Sequence, residues 1–186
     1  SRFWENVIGR SKPFRSHFLP KLQAKFPSLD AFDLDTWYRA INKVEPSLIR
    51  VEADEVTYNM HILVRFEIEC DMLEGKMSIN DMPEVWNEKY RQYLGIVPDS
   101  DANGCLQDVH WSAGLIGYFP TYSMGNLLSY QIWNALKKDV HGTEQMIEIG
   151  HLEPILQWLQ KNIYSKGRSI PPQKLVQHVT GKPMGS

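Results

Sequence analysis

Apolar residues recur at helical spacing along most of the chain. In residues 13–25, for example, Phe14, Phe18 and Leu22 fall on one stripe of a helix. The same spacing predicts helices over residues 1–10, 13–25, 34–44, 82–94, 121–140 and 153–164, a short helix opening at 143–145, and a last one over 173–179. Pro20 is expected to kink or restart the second of these helices. The pattern indicates a predominantly helical fold.

Residues 54–74 fit two interpretations. Polar and apolar residues alternate closely from His61 to Cys70, which favours a strand. The length favours a helix, because the segment has no Gly or Pro, and Asp54 and Glu55 suit a helix N-terminus. A helix would place Val56, Met60, Leu63, Ile68 and Met72 on one face and bury Ile62 and Phe66 elsewhere. The residues alone leave this choice open. The preceding segment, 44–54, is predicted to be extended or hairpin-like.

Composition excludes several classes of protein. The chain has 186 residues, 42% of them hydrophobic and 23% charged, which fits one domain or a large piece of one. With a net charge of −2, the chain has no excess of basic residues that would indicate binding to nucleic acid. No apolar run in the sequence is long enough to span a membrane. Cys70 and Cys105 are isolated, which fits a reducing cytosol. Because the chain starts without Met and inside a helical pattern, we expect a partner segment upstream.

Residues 104–126 combine glycines, aromatic residues and hydrogen-bonding groups, a content typical of backbone threaded past a ligand. Within this segment His110 lies two residues after Asp108 and is a candidate functional histidine. The sequence has no H-E-x-x-H, no pair of histidines at helical spacing and no cysteine cluster. It therefore presents no complete zinc signature.

Other candidates each have a structural alternative. Arg50 either forms a salt bridge at a segment junction or receives an anion, since a guanidinium matches a carboxylate with two parallel hydrogen bonds. Tyr118 and Tyr122 either pack as aromatic rings or donate a hydrogen bond to a developing oxyanion. Cys105 could form a nucleophilic dyad with His110, although no third group is evident to orient it.

Two motifs carry a family resemblance. IRVEAD (49–54) and GCLQDVHW (104–111) resemble the I-R-x-x-A-D and G-x-x-Q-D-x-H-W signatures of the carboxypeptidase Taq family of zinc metallocarboxypeptidases. The flanking EVTYNMHILVRFEIE and GYFPTYSMGN are similar to the same family, as is the opening SRFWENVIGRS. The resemblance spans essentially the whole chain. It implies that residues 54–74 are helical.

The resemblance also implies a fold and an activity. Members are single-zinc enzymes that remove C-terminal amino acids from peptides with broad specificity, and they usually form cytoplasmic homodimers. Their mainly α fold has a deep groove between two halves and is related to neurolysin and angiotensin-converting enzyme. The zinc ligands belong to H-E-x-x-H and H-E-S-Q/T motifs, which this chain lacks. We therefore expect residues 1–186 to be the C-terminal part of the catalytic domain, inactive without the zinc-binding N-terminal half upstream.

The family's site residues carry over to matching positions. By resemblance, Arg50 would bind the terminal carboxylate of the substrate, and His110 would hydrogen-bond the substrate backbone or the tetrahedral intermediate. Tyr122 would stabilise the oxyanion, with Tyr118 as the alternative.

The same resemblance gives Gln107 and Asp108 a supporting role. They would orient the loop, and Asp108 would fix the tautomer of His110. A different class of function also fits the sequence: a non-catalytic helical interaction module whose glycine-aromatic loop binds a partner.

Overall fold

The computed structural model describes residues 1–185, and within that range the regular structure is entirely helical. The α-helices are α1 Lys12–Lys25, α2 Leu34–Ile41, α3 Tyr58–Leu73, α4 Met82–Leu94, α5 Pro120–Asp139, α6 Thr143–Glu148, α7 Glu153–Asn162 and α8 Pro172–Thr180. A π-helix precedes them at Phe3–Gly9. Short 3₁₀ turns occupy Pro27–Leu29, Arg50–Glu52, Ile79–Asp81 and Tyr164–Lys166. The helical fold class predicted from the sequence is confirmed.

The chain forms two compact units. The first contains residues 1–41 and the described residues from 125 onwards, and the second contains residues 42–124. The core of the first unit consists of Phe3, Ile8, Ala135, Leu136, Ile147, Ile155, Trp158 and Leu159. Helix α1 continues through Pro20, so the predicted restart of this helix is wrong. Helix α2 ends at Ile41, three residues earlier than the apolar pattern indicates.

One glycine of the first unit is required by its surroundings. Gly150 follows α6 with a φ of +76°, a left-handed conformation that other residues rarely adopt. A Cβ at this position would clash with the imidazole ring of His17 on α1. Glycine therefore allows α1 and the end of α6 to approach closely.

In the second unit α3 packs against α4. Their shared core consists of Val64, Ile68, Met82, Trp86, Tyr90, Leu94 and Cys105. A smaller cluster of Ala53, Tyr58, Ile62 and Phe119 lies at the start of α3 and brings the loop before α5 onto it. The site described below is built around this smaller cluster.

Helix α3 settles the ambiguous segment in favour of the helix, as the resemblance implies. The predicted buried face is only partly right. Ile62 and Ile68 are buried, but Leu63 and Phe66 are 40% and 44% exposed. The buried face of α3 instead includes three polar side chains spaced four residues apart, those of His61, Arg65 and Glu69.

Asp54, the last residue of IRVEAD, organises the turn that leads into α3. The carboxylate of Asp54 accepts hydrogen bonds from the backbone N–H groups of Val56 and Thr57, at 2.8 and 2.9 Å, and from the Thr57 hydroxyl at 2.6 Å. It also accepts from the N–H of Glu45 at 3.1 Å. Asp54 thus satisfies the backbone donors of the turn before α3 and fixes the chain that enters the helix.

Candidate active site

Arg50 lies in a 3₁₀ turn eight residues before α3 and is only 5% exposed. Its backbone N–H donates to Oε1 of Gln107 at 2.8 Å. Its Nε donates to both oxygens of Asp108 at 3.1 Å, and Nη2 donates to Oδ1 at 2.6 Å. Nη1 donates to the hydroxyl of Tyr58 at 2.8 Å. The predicted salt bridge is therefore present, between Arg50 and Asp108, and the role of Arg50 as an anion receptor stays a prediction.

The guanidinium of Arg50 keeps donor capacity. Of its five N–H groups, one on Nη1 and one on Nη2 have no acceptor among the residues that the structure describes. The guanidinium carbon lies 4.9 Å from the ring centroid of Tyr122 and 5.8 Å from those of Phe119 and Tyr58. Two N–H donors of Arg50 thus remain available for a ligand, next to three aromatic rings.

Arg65 completes the charge cluster, although no motif pointed to it. This residue of α3 is 0% exposed. Its Nε donates to Oδ2 of Asp108 at 2.7 Å, and Nη2 donates to Oε1 of Gln107 at 2.8 Å. The spacing of His61, Arg65 and Glu69, one helical turn apart, is the signal that could have identified a buried polar face.

Gln107 joins three segments through one amide group. Its Oε1 accepts from Arg50 and Arg65, and its Nε2 donates to the carbonyls of Leu48 and Asn103 at 2.9 and 3.0 Å. The expectation that Gln107 orients the loop fits these contacts, because the amide ties the loop to α3 and to the chain before Arg50.

Asp108 stays ionised at the centre of the cluster. Burial alone would raise the pKa of its carboxyl, but the hydrogen bonds and charges of Arg50 and Arg65 outweigh burial and hold that pKa below its ordinary value. Oδ1 of Asp108 lies 3.9 Å from Nδ1 of His110, too far for a hydrogen bond. Asp108 therefore orients the two arginines, and the expected hydrogen bond that fixes the His110 tautomer is not formed.

His110 and Tyr122 form a second pair beside Arg50. Nε2 of His110 lies 2.8 Å from the Tyr122 hydroxyl, and the imidazole is 8% exposed. Burial lowers the pKa of His110 and raises that of Tyr122, so both are neutral near pH 7. Tyr118 packs its ring 5.7 Å from His110 and 5.5 Å from Tyr122 and is 44% exposed. The predicted site residues are thus brought together in one unit.

His61 lies deeper in the same network. Its Nδ1 is 3.0 Å from the hydroxyl of Tyr90, which in turn donates to the carbonyl of Leu48 at 3.1 Å. Nε2 of His61 is buried without a partner among the described residues. Burial, with the charges of Arg65 and Arg50, lowers the pKa of His61 to about 4. His61 is therefore a neutral structural residue near pH 7.

The alternative nucleophile, Cys105, is buried in the core between α3 and α4. Burial raises the pKa of its thiol, which suppresses the reactive thiolate. Within residues 1–185 no three His, Cys, Asp or Glu side chains are grouped so as to hold a metal ion. The described residues therefore do not fit a metal centre. None of the described helices combines the length and apolarity that crossing a membrane requires.

Comparison with known families gives one consistent match. A family model described as carboxypeptidase Taq (M32) metallopeptidase matches residues 1–186. Thermostable carboxypeptidase 1 of Thermus thermophilus is 46% identical over 182 residues, and carboxypeptidase 1 of Bacillus subtilis is 42% identical over 183. Each alignment covers 98% of this chain but 36% of the relative. The chain thus spans little more than a third of these relatives.

Solved structures agree with the sequence relatives. The M32 carboxypeptidase from Deinococcus radiodurans superposes with a TM-score of 0.95 at 39% identity, covering 99% of this chain and 37% of that one. Metallocarboxypeptidase 1 of Trypanosoma cruzi superposes with a TM-score of 0.93 at 37% identity, covering 99% and 39%. The helical arrangement of this chain is therefore one found in larger metallocarboxypeptidases.

Proposed function

Since the chain belongs to the carboxypeptidase Taq (M32) family of metallopeptidases, we propose that residues 1–186 are the C-terminal, substrate-binding part of a metallocarboxypeptidase catalytic domain. The enzyme hydrolyses the last peptide bond of a peptide. The observation that carries this proposal is the pair of unoccupied Arg50 donors beside the His110–Tyr122 pair.

Arg50 has the chemistry to hold the end of a peptide. One hydrogen on each terminal nitrogen suits a carboxylate, which accepts two parallel hydrogen bonds from a guanidinium. The rings of Tyr58, Phe119 and Tyr122 keep water from the guanidinium and strengthen its attraction for an anion. Because every peptide ends in a carboxylate, this recognition supports broad specificity, and it admits only the last peptide bond to the reacting groups.

Tyr122 is the proposed donor to the oxyanion that develops when water attacks that bond. Its raised pKa keeps the phenol protonated, and His110 holds the hydroxyl in place at 2.8 Å. Tyr118, on the exposed side of the pair, is the proposed alternative donor. Loss of one such donor typically slows catalysis by about a hundred-fold to a thousand-fold. Gln107 and Asp108 support the site by orienting Arg50.

The family implies a metal, and the side chains of residues 1–185 do not fit one. We propose that zinc is bound by residues of an N-terminal half of the same enzyme. The contributions of this chain are then carboxylate binding and hydrogen-bond donation. A cytoplasmic homodimer stays a prediction from the family resemblance.

The direct test replaces Arg50 in the intact protein, meaning the full-length enzyme that includes the proposed zinc-binding half. It compares two competitive inhibitors, an N-acetyl amino acid and its amide. We expect Arg50→Ala to weaken inhibition by the acid about a hundred-fold and to change inhibition by the amide little, because only the acid carries the anion. Tyr122→Phe should instead lower kcat with a smaller change in KM.

Arg91→Ala is the matched control, because Arg91 lies on α4 with an exposed side chain and pairs with Glu88. It should leave both inhibition constants unchanged. If Arg50→Ala retains its helical circular dichroism and wild-type kinetics, the proposal is wrong. That result would favour the non-catalytic interaction module.

A further inference from the structure

The charge cluster consists of Arg50, Arg65 and Asp108. Arg65 is the member of this cluster whose side chain is not accessible to a ligand. It is 0% exposed, with its guanidinium carbon 4.6 Å from the ring centroid of Trp86 and 5.3 Å from that of Phe119. We propose that Arg65 is a positioning residue that prevents Asp108 from neutralising Arg50, and thereby sets the positive charge with which the site receives a carboxylate. This inference rests on the proposed function of Arg50.

The hydrogen bonds of Arg65 are all internal. Nε donates to Asp108, Nη2 to Gln107, and Nη1 to the carbonyl of His61 at 2.8 Å, with the Tyr90 hydroxyl at 3.5 Å. Nη2 also lies 2.7 Å from Oδ2 of Asp108. No donor remains for a substrate. Arg65 therefore acts on the site through its hydrogen bonds to Asp108 and Gln107 and through its charge.

Both arginines bind the carboxylate of Asp108. Arg65 donates to Oδ2, whereas Arg50 makes its short 2.6 Å hydrogen bond to Oδ1 and longer ones of 3.1 Å from Nε to both oxygens. Fixing Oδ2 on α3 turns Oδ1 towards Arg50. Since Asp108 is only 11% exposed in its side chain, solvent does little to orient it. Arg65 is thus the group that sets the direction of this carboxylate.

The charge balance gives Arg65 a second role. Arg50 and Asp108 alone would form a neutral pair, in which Asp108 repels an incoming carboxylate while Arg50 attracts it. With Arg65 bound to the same carboxylate, the hydrogen-bonded cluster carries one net positive charge. Glu69, the buried acid of α3, lies outside this set of hydrogen bonds: its Oε1 accepts from Nε1 of Trp111 at 2.8 Å. No second carboxylate among the described residues is therefore hydrogen-bonded to Arg50 or Arg65.

A charge series in the intact protein tests this role, with an N-acetyl amino acid and its amide as competitive inhibitors. The measured quantity is the preference for the acid over the amide. Arg65→Met makes the cluster neutral, and we expect it to reduce this preference about ten-fold. Arg65→Met with Asp108→Asn restores one positive charge and should recover the preference, whereas Asp108→Asn alone should exceed wild type.

Arg65→Lys is the conservative control, because it keeps the charge and should keep a preference close to wild type. An Arg65 that is merely structural would affect acid and amide alike, and the double variant would then be no better than Arg65→Met. Either result overturns the inference. If Arg65→Met does not fold, Asp108→Asn alone decides, since a preference at or below the wild-type value contradicts the charge argument.

Arg50→Ala in the same assay separates this inference from the proposed function. An acid preference that survives Arg50→Ala overturns both. A preference that requires Arg50 but does not follow the charge series overturns only the role of Arg65.

Discussion

At the scale of single residues, the site depends on buried ionisable side chains whose protonation states fix one another. Asp108 is ionised because two arginines bind it, and His61 is neutral because it is buried and the same two arginines lie near it. With the Tyr90 hydrogen directed to Leu48, His61 donates from Nδ1, and a second proton on its buried Nε2 would have no acceptor among the described residues. Protonation of His61 therefore works against the folded state.

The stability of the folded chain should therefore decrease at acidic pH. The pKa of His61 falls from 6.5 to about 4 on folding, so between these values the unfolded chain binds a proton that the folded chain does not. Stability should fall as the pH drops through that window, by an amount on the order of 3 kcal/mol. We expect His61→Gln to show a flatter dependence of Tm on pH between 6.5 and 4 than wild type.

The exposed His178 on α8 provides the control. His178→Gln should follow the wild-type pH dependence closely. Identical pH profiles for His61→Gln and wild type would show that His61 is not held neutral by its surroundings.

At the scale of elements, α3 positions the site. Asp54 fixes the turn that precedes it, and buried residues of the helix bind the loop that carries Asp108 and His110. Because the same segment leads back to Arg50 through IRVEAD, a displaced helix start would move the proposed anion receptor. The Asp54 carboxylate is therefore a local contact with an effect on the whole site.

Asp54→Ala should destabilise the protein by about 1–2 kcal/mol, because it removes the acceptor for the N–H groups of Val56 and Thr57. Asp54→Asn keeps one acceptor oxygen and should lose less. Urea denaturation measures both values, and amide hydrogen exchange at residues 56–58 should be faster in Asp54→Ala. An alanine variant as stable as wild type would contradict the capping role.

The sequence predicted some of these elements better than others, for physical reasons. Helix α4 was predicted with the bounds observed, because Pro83 and Gly95 mark its ends and its apolar stripe is regular. Helix α3 was ambiguous because its buried face includes Arg65, which no amphipathic pattern places inside. Arg50 and Asp108 could be identified from their motifs, but their pairing across 58 residues is a tertiary contact that local patterns do not encode.

At the scale of the whole molecule, the chain spans 36% of the length of its Thermus thermophilus relative. Within residues 1–185, no three His, Cys, Asp or Glu side chains are grouped so that they could hold a metal ion. Each of the two units consists of helices that pack around an apolar core of their own. A cluster of two arginines and one carboxylate in one unit, with no metal-binding group of side chains among the described residues, is compatible with the proposal that substrate recognition and metal binding come from different parts of an enzyme.

We expect the 186-residue chain, expressed alone, to show no tight stoichiometric Zn²⁺ binding in competition with a chromophoric chelator. It should also show no chelator-sensitive carboxypeptidase activity, because scattered His and acidic side chains do not form a tetrahedral site. Robust zinc-dependent activity of the chain alone would contradict the proposal that the ligands lie elsewhere.

The cluster around Asp108 also bears on the order in which the second unit folds. Asp108 pairs with Arg50 and Arg65 from positions 58 and 43 residues earlier. Closing loops of that length has an entropic cost that must be met before the charges can be satisfied, whereas α3 and α4 are close in sequence and can associate first. We therefore expect the anion receptor to form after the folding transition state. Because these ion pairs form after the transition state, they should slow unfolding and leave the folding rate nearly unchanged.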